Sequence, residues 1–292
     1  LKKKFIHSYF SSILFYLKME NYRDEAVKEM VREKYAEVAT QTRAHNAASC
    51  CGVGATCADT AYNIFAEDYS HLEGYVAEAD LALGCGIPTE YANILPGMTV
   101  LDLGSGAGND VFVARRLVGT EGKVIGVDMT DEMLELARNN ADRLGYNNVE
   151  FRKGDIESLP VAANRIDVVI SNCVLNLVPN KQKAFDEIFR VLKPGGRFCI
   201  SDVVLEGELP EKIRAAAEMY AGCVAGAMQK NDYLNVIDHA GFDAVEIKKT
   251  KPIVIPDEIL QTYGATNSEL PLIESITVVG VKPNTCCPPG AC

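Results

Sequence analysis

Two groups of residues in this chain have the types and spacing that chemistry needs. One is a set of ten cysteines, and the other is a series of glycines and acids at the ends of apolar runs. The cysteines are Cys50, Cys51, Cys57, Cys85, Cys173, Cys199, Cys223, Cys286, Cys287 and Cys292. A chain of 292 residues, 48% of them apolar, can bury a large core and has no need of disulfide staples. In reducing surroundings a buried cysteine is by default a small inert hydrophobe, and Cys199 in the apolar run RFCIS fits that description. Others stand in polar or Gly-rich stretches such as AHNAASCCGVGATCAD and GCGIP. There a thiol serves as a nucleophile, a redox partner or a soft-ion ligand.

The glycines and acids describe a nucleotide site. In VLDLGSGAGNDVFVA (100–114) an apolar run leads directly into Gly104, Gly106 and Gly108, and a helical pattern follows. Glycine at such places lets the chain turn tightly and approach a ligand with no side chain in the way. Asp128 ends the next apolar run, where its carboxylate can accept both ribose hydroxyl protons, and Met129 follows it. Asp155 and Ile156, in GDIESLP, end the run after that, where an adenine can be held. A dinucleotide enzyme shares this outline. Asp102, just before the glycines, separates the two cases: a carboxylate there repels a pyrophosphate but suits a cationic ligand with an amino group.

LDLGSGAG, GVDMT, GDIESLP and RVLKPGGRF, in this order and spacing, resemble the class I S-adenosylmethionine methyltransferases over about residues 97–205. The surrounding pattern agrees, with strands expected at 99–103, 123–127, 149–152, 166–170 and 197–201 and helices at 111–117, 132–144 and 182–192. This alternation, with several unbroken Val/Ile/Leu strands, predicts an α/β fold whose sheet is covered on both faces. The resemblance implies a Rossmann-like, seven-stranded, mostly parallel sheet of order 3-2-1-4-5-7-6. Its last pair would come from the late strands at 245–249 and 276–281. Further helices are expected over 24–38, over YSHLEGYVAEADLAL (69–83), in EKIRAAAEMYAGCVAGAMQK and in a segment ending at Gly241, with a helix start at Pro88-Thr89.

In that topology the strand order reverses between the first and fourth strands, and ligands bind at their carboxyl ends. The fourth strand ends at Ser171-Asn172-Cys173, which brings a thiol close to a reactive methyl and makes Asn172 a cofactor-site candidate. The sequence there, SNCVLNLVP, lacks the Asn/Asp-Pro-Pro-aromatic pattern of enzymes that methylate nucleobase amines. Arsenic(III) suits a thiol at this point, because it is soft, binds up to three sulfurs and keeps a lone pair to attack a methyl. LGCGIP, SNCVLNLVP and MYAGCVAGA resemble the arsenite methyltransferases, and the likeness runs from about Tyr69 to Gly226 with ISDVVLEGELPE included. It implies Cys173 and Cys223 as lasting arsenic ligands and Cys85 as a third that can leave to form a disulfide. It also implies a more N-terminal partner for Cys85, for which Cys57 fits best beside Cys50 and Cys51. The implied co-substrate is S-adenosylmethionine, the substrate arsenite or an arsenic(III)-thiol conjugate, and the reductant a thiol system such as thioredoxin or glutathione. A small-molecule C- or O-methyltransferase, such as one for a quinone precursor, and a non-catalytic metalloid-binding or redox protein are the competing readings.

The whole chain sets the remaining bounds. A net charge of −11 disfavours a polyphosphate partner, so nucleic acid is not expected. No apolar run reaches the ~18 residues a membrane span needs. Residues 1–18 place lysines before an apolar stretch as a signal peptide does, but His7, Ser8, Ser11 and Ser12 interrupt it and no small-x-small cleavage site follows. Met19 is an alternative start, and the expected location is the cytoplasm. The four histidines show no metal-ligand spacing. The organisation read from these patterns is an N-terminal helical, Cys-rich extension (1–68), a cofactor-binding core (69–207), a C-terminal substrate-binding segment that completes the sheet (208–282) and a Cys-rich tail (283–292). The tail cysteines either hand over metalloid or form an incidental cluster.

Overall fold

A computed structural model describes residues 24–40, 67–214, 224 and 226–284. Cys57 and Cys223, with Cys50, Cys51, Cys286, Cys287 and Cys292, lie outside the described residues. The strands are β1 (Thr99–Leu103), β2 (Lys123–Asp128), β3 (Val149–Lys153), β4 (Ile166–Asn172), β5 (Leu192–Glu206), β6 (Met228–Gln229), β7 (Asp243–Pro252) and β8 (Leu272–Val281). They form one sheet of order β3-β2-β1-β4-β5-β8-β7, with β6 paired to β5. The first five run parallel, and β8 pairs antiparallel with both β5 and β7. Apart from the two-residue β6, this is the expected order.

The longer helices are α1 (24–39), α2 (Asn109–Val118), α3 (Asp131–Leu144), α4 (Lys181–Val191) and α5 (Lys230–His239), and short ones span Glu211–Arg214 and Asp257–Thr262. Side chains alternate across a strand, so β1 sends Leu101 and Leu103 to one face and Val100 to the other. On the first face they join Phe185 and Ile188 of α4 and Tyr233 and Ile237 of α5; on the second, Val100 joins Val111 and Phe112 of α2 and Met133 and Leu134 of α3. Both faces are therefore covered, as the unbroken apolar strands required. Cys199 is fully buried in the second face, and burial pushes its thiol pKa up, in keeping with an inert core cysteine. Among the described residues no helix is long and apolar enough to cross a membrane.

Four expectations need correction. In EKIRAAAEMYAGCVAGAMQK the described residues are helical only over Glu211–Arg214 and at Lys230, where α5 begins; Met228–Gln229 pair with β5 instead, and residues 215–223 and 225 lie outside the described residues. Residues 69–83 form turns rather than a helix: Gly74 adopts φ 91° where a Cβ would press on α2, Ala82 is left-handed at φ 58°, and Asp80 Oδ1 accepts from the Ala82 amide. The helix start at Pro88 yields only a three-residue 3-10 turn, Pro88–Glu90. The strand after KPGG begins at Leu192 and extends to Glu206, because β8 pairs with it from Arg197 to Glu206. Its Gly195-Gly196 turn falls in a register shift, since Ile166 pairs Leu192 and Val168 pairs Arg197.

Candidate active site

The carboxyl ends of β1, β2 and β4 open into a cavity with an empty volume of about 1180 Å³, part of it open to solvent. Its floor is the glycine turn. Gly104, Gly106 and Gly108 all have positive φ (64°, 48° and 99°), and a Cβ on Gly104 would collide with the Val174 side chain. The loop is pinned from the next strand: the Gly104 and Ser105 amides donate to Val127 O at 2.8 and 3.0 Å. The Gly106 amide donates to Asp128 Oδ2 at 2.9 Å, and Asp128 Oδ1 accepts from the Thr130 amide at 2.9 Å. Asp102, Asp128, Met129, Asp155, Ile156 and Asn172 all reach the cavity wall, so most of the expected cofactor residues share one space.

The charge of the lining points to the ligand. Glu67, Asp80, Asp102, Asp110, Asp128 and Asp155 give six carboxylates, against one ammonium, Lys28, among the described lining residues. Burial, aided by the nearby Asp110 and Asp128 charges, raises the Asp102 pKa well above the carboxylate range. Burial also lifts Asp110 to about 6, although hydrogen bonds from Asn172 and Tyr69 work against it. Asp128 is raised by burial too, opposed by the Thr130 and Gly106 amides. Carboxylates crowded out of water in this way favour a cationic occupant. Ser105 Oγ and Asn109 Oδ1, buried beside the glycine turn, have no hydrogen-bond partner among the described residues. An amino- and sulfonium-bearing nucleoside fits these features: glycines for close approach, acids at successive strand ends, and excess negative charge.

The thiol end lies at the same strand ends. Cys173 follows β4 in the left-handed region (φ 59°), unusual for a side chain with a Cβ, and its amide donates to Ser201 O at 2.8 Å. It is disulfide-bonded to Cys85, with a Cα–Cα distance of 5.7 Å. The two residues are 1% and 3% exposed (Cys85 and Cys173), so the bridge is buried, with Cys173 at the cavity wall. The partner expected for Cys85, Cys57, lies outside the described residues; the bridge to Cys173 forms where the loop carrying Cys85 is fastened over the end of β4.

Asn172 makes that attachment. Its Oδ1 accepts from the Cys85 and Gly86 amides at 3.0 and 3.3 Å. Its Nδ2 lies 2.8 Å from Gly86 O, 2.8 Å from Tyr69 Oη and 3.1 Å from Asp110 Oδ2. Tyr69 Oη also lies 2.9 Å from both Asp110 Oδ1 and Gly86 O, sharing its single proton between them. On the far side Ser275 Oγ donates to Cys85 O at 2.6 Å. A Cβ on Gly84 would collide with the Asn172 amide, and one on Gly86 with Ser201 Oγ. The glycines of GCGIP are thus explained by close packing. Asn172 reaches the cavity as expected, but its hydrogen-bonding groups serve the Cys85 loop. Sequence reasoning missed Tyr69, Asp80 and Asp110; only Asp110, in the first turn after the glycines, carried a positional signal.

Comparison with known proteins agrees with this geometry. Residues 94–241 match the family described as "Methyltransferase domain". The arsenite methyltransferase of Halobacterium salinarum is 47% identical over 271 residues, covering 89% of this chain and 67% of that protein. That of Aquipseudomonas alcaligenes is 41% identical over 184 residues, 61% of this chain and 53% of that protein. Among solved structures, an arsenic(III) S-adenosylmethionine methyltransferase from Chlamydomonas reinhardtii aligns with a TM-score of 0.61 at 38% identity, covering 71% of this chain and 68% of that one. The chain thus spans about two thirds of the first relative's length and about half of the second's.

Proposed function

This chain belongs to the arsenite methyltransferase family, and from that premise we propose that it transfers methyl groups from S-adenosylmethionine to arsenic(III) held by cysteine thiolates. The carrying observation is the shared cavity: one wall is the glycine turn with its acids, and Cys173 lines the same space. S-adenosylmethionine, when bound, supplies an electrophilic methyl group. Asp128 is suited to its ribose hydroxyls, Asp155 and Ile156 to its adenine, and Asp102 to its amino group, with Met129 alongside. Val31, Val174 and Leu177 supply apolar wall that excludes water.

The substrate arsenic needs free thiols. Opening the Cys85–Cys173 bridge takes two electrons and two protons, which a thiol reductant of the thioredoxin or glutathione type supplies while becoming a disulfide itself. Each thiol then replaces a hydroxyl on arsenite and releases water. A third sulfur comes from Cys223 or from a small thiol, so an arsenic(III)-thiol conjugate also serves as substrate. The arsenic lone pair is the nucleophile, and the chain's part is to orient it rather than to act as a base. The bridge is the oxidised resting form that the reductant opens. Cys57 remains the candidate for exchange with Cys85, and the cytoplasm, rich in thiol reductant, is the fitting location.

The test is incubation with methyl-labelled S-adenosylmethionine, a thiol reductant and either arsenite or a quinol precursor. Label in arsenicals, lost in Cys173→Ser, supports the proposal. Label only in the quinol, or arsenite binding with no transfer, overturns it.

A further inference from the structure

Helix α1 contributes to the cavity wall, and one of its faces reaches both ends of the site. Lys28, Val31, Tyr35 and Val38 recur at intervals of three and four residues, which places them on one helical face. The first three line the cavity. Val31 is 1% exposed and belongs to the apolar cluster that contains Cys85, Cys173 and Leu177. Val38 packs in the cluster with Val76, Ala79 and Leu81.

Lys28 carries the polar attachment at the nucleoside end. Its Nζ donates to Asp155 Oδ2 at 2.7 Å and to Glu157 Oε2 at 2.9 Å, and its side chain is only 12% exposed. Glu157 is itself buried, and its Oε1 accepts from the Asn180 amide at 2.9 Å. Asp155 Oδ1 accepts from the Glu157 amide at 2.8 Å, so the loop after β3 is a preformed seat for the ammonium. Burial works against the charged lysine, but the hydrogen bonds and charges of Asp155 and Glu157 outweigh it and raise its pKa. Loss of Lys28 removes the ammonium from Asp155, while Glu157 keeps Lys183 Nζ at 3.8 Å, so the weakening falls mainly on the Asp155 side of the seat.

We propose that α1 is a lid latched by Lys28, a positioning residue, which joins the nucleoside seat at Asp155 to the cover over the Cys85–Cys173 bridge. The proposal rests on the reading of Asp155 and Ile156 as the adenine seat. A nucleoside bound there packs on the preformed loop that Lys28 grips and steadies both, so that α1 stays closed and Val31 shields the sulfurs. Cofactor occupancy and access of reductant to the thiols are thereby coupled, and reductant enters after the nucleoside product has left.

The full-length oxidised protein tests this with Lys28→Met, which keeps most of the stem and removes the charge, and Lys28→Arg, which restores it. Reduction of the Cys85–Cys173 pair by dithiothreitol is followed by mass spectrometry of its peptides, with and without S-adenosylhomocysteine. Lys28→Met is expected to be reduced about tenfold faster than the wild type without nucleotide, as a local opening made easier would produce. S-adenosylhomocysteine is expected to slow reduction of the wild type and of Lys28→Arg but not of Lys28→Met. Equal rates for wild type and Lys28→Met overturn the lid. Binding of S-adenosylhomocysteine, measured separately by calorimetry, judges the cofactor reading: failure to bind with a faster Lys28→Met removes that reading and leaves the latch standing. Amide exchange over residues 24–39 of the wild type is the second measure. Saturation with S-adenosylhomocysteine is expected to slow it, and unchanged exchange overturns the coupling.

Discussion

Replacing Asn172 with alanine removes the side chain that fastens the Cys85 loop to the end of β4. The lost partners are the Cys85 and Gly86 amides, Gly86 O, Tyr69 Oη and Asp110 Oδ2. Gly86 O keeps the Tyr69 hydroxyl within reach, so the main deficits are the two amides and the Asp110 carboxylate. At ~1–3 kcal/mol for each buried group left without a partner, and allowing for partial relaxation, the loss is about 2–4 kcal/mol. For a chain of this size that corresponds to a fall in Tm of roughly 3–7 °C. Asn172→Asp separates the two halves of the amide. It keeps an acceptor for the two backbone N–H groups but turns a carboxylate toward Asp110, so it is expected to match alanine at pH 8 and recover on acidification. Calorimetric melting of the oxidised wild type and both variants, at pH 6 and 8, checks this. A shift below about 2 °C for Asn172→Ala would refute the view that this amide holds the loop.

Reducing the bridge, which closes a sequence separation of 88 residues, is expected to lower stability by about 4–5 kcal/mol; urea midpoints that coincide with and without phosphine reductant would contradict this. Asp202, fully buried, has a pKa raised by burial to about 7, with Lys181, the Val203 and Asn176 amides and the Tyr233 hydroxyl pulling the other way. Its folded pKa thus exceeds the unfolded one, the native state binds the extra proton, and stability falls as pH rises from about 4 to about 7. Asp202→Asn should flatten that slope by on the order of 3–4 kcal/mol, as read from denaturation at several pH values. Asp102, Asp110 and Asp128 must give up protons to face a cation. S-adenosylmethionine should therefore gain affinity relative to the uncharged-sulfur S-adenosylhomocysteine as pH rises from 5 to 8. Calorimetry giving a constant ratio would count against the role of the carboxylates.

Much of the core was legible because its signals are local. The strand before Gly104, the helix after Gly108 and Asp128 at the end of β2 each follow from a short local pattern, and Gly104, Gly106 and Asp128 line one cavity. Cys199 and Cys173 were separable because one lies inside an apolar strand and the other at its end. What escaped depended on contacts distant in sequence. Residues 69–83 have a helical apolar spacing, but Gly74 packs against α2 and Asp80 holds a turn, so tertiary packing prevails over periodicity. Tyr69, Asp110 and Asn172 meet only because the loop carrying Gly86 crosses the end of β4. The grip of Lys28 on Asp155, 127 residues away, has no trace in the local pattern of either segment.

The central claim is that thiolates of this chain hold arsenic at the end of β4. Arsenic K-edge absorption of the reduced protein with one equivalent of arsenite tests it directly. Arsenic bound by sulfur alone is the expected result, as for a soft ion in a thiolate site, with sulfur replaced by oxygen in Cys173→Ser. Arsenic coordinated only by oxygen in the wild type, or a spectrum unchanged in Cys173→Ser, would contradict it.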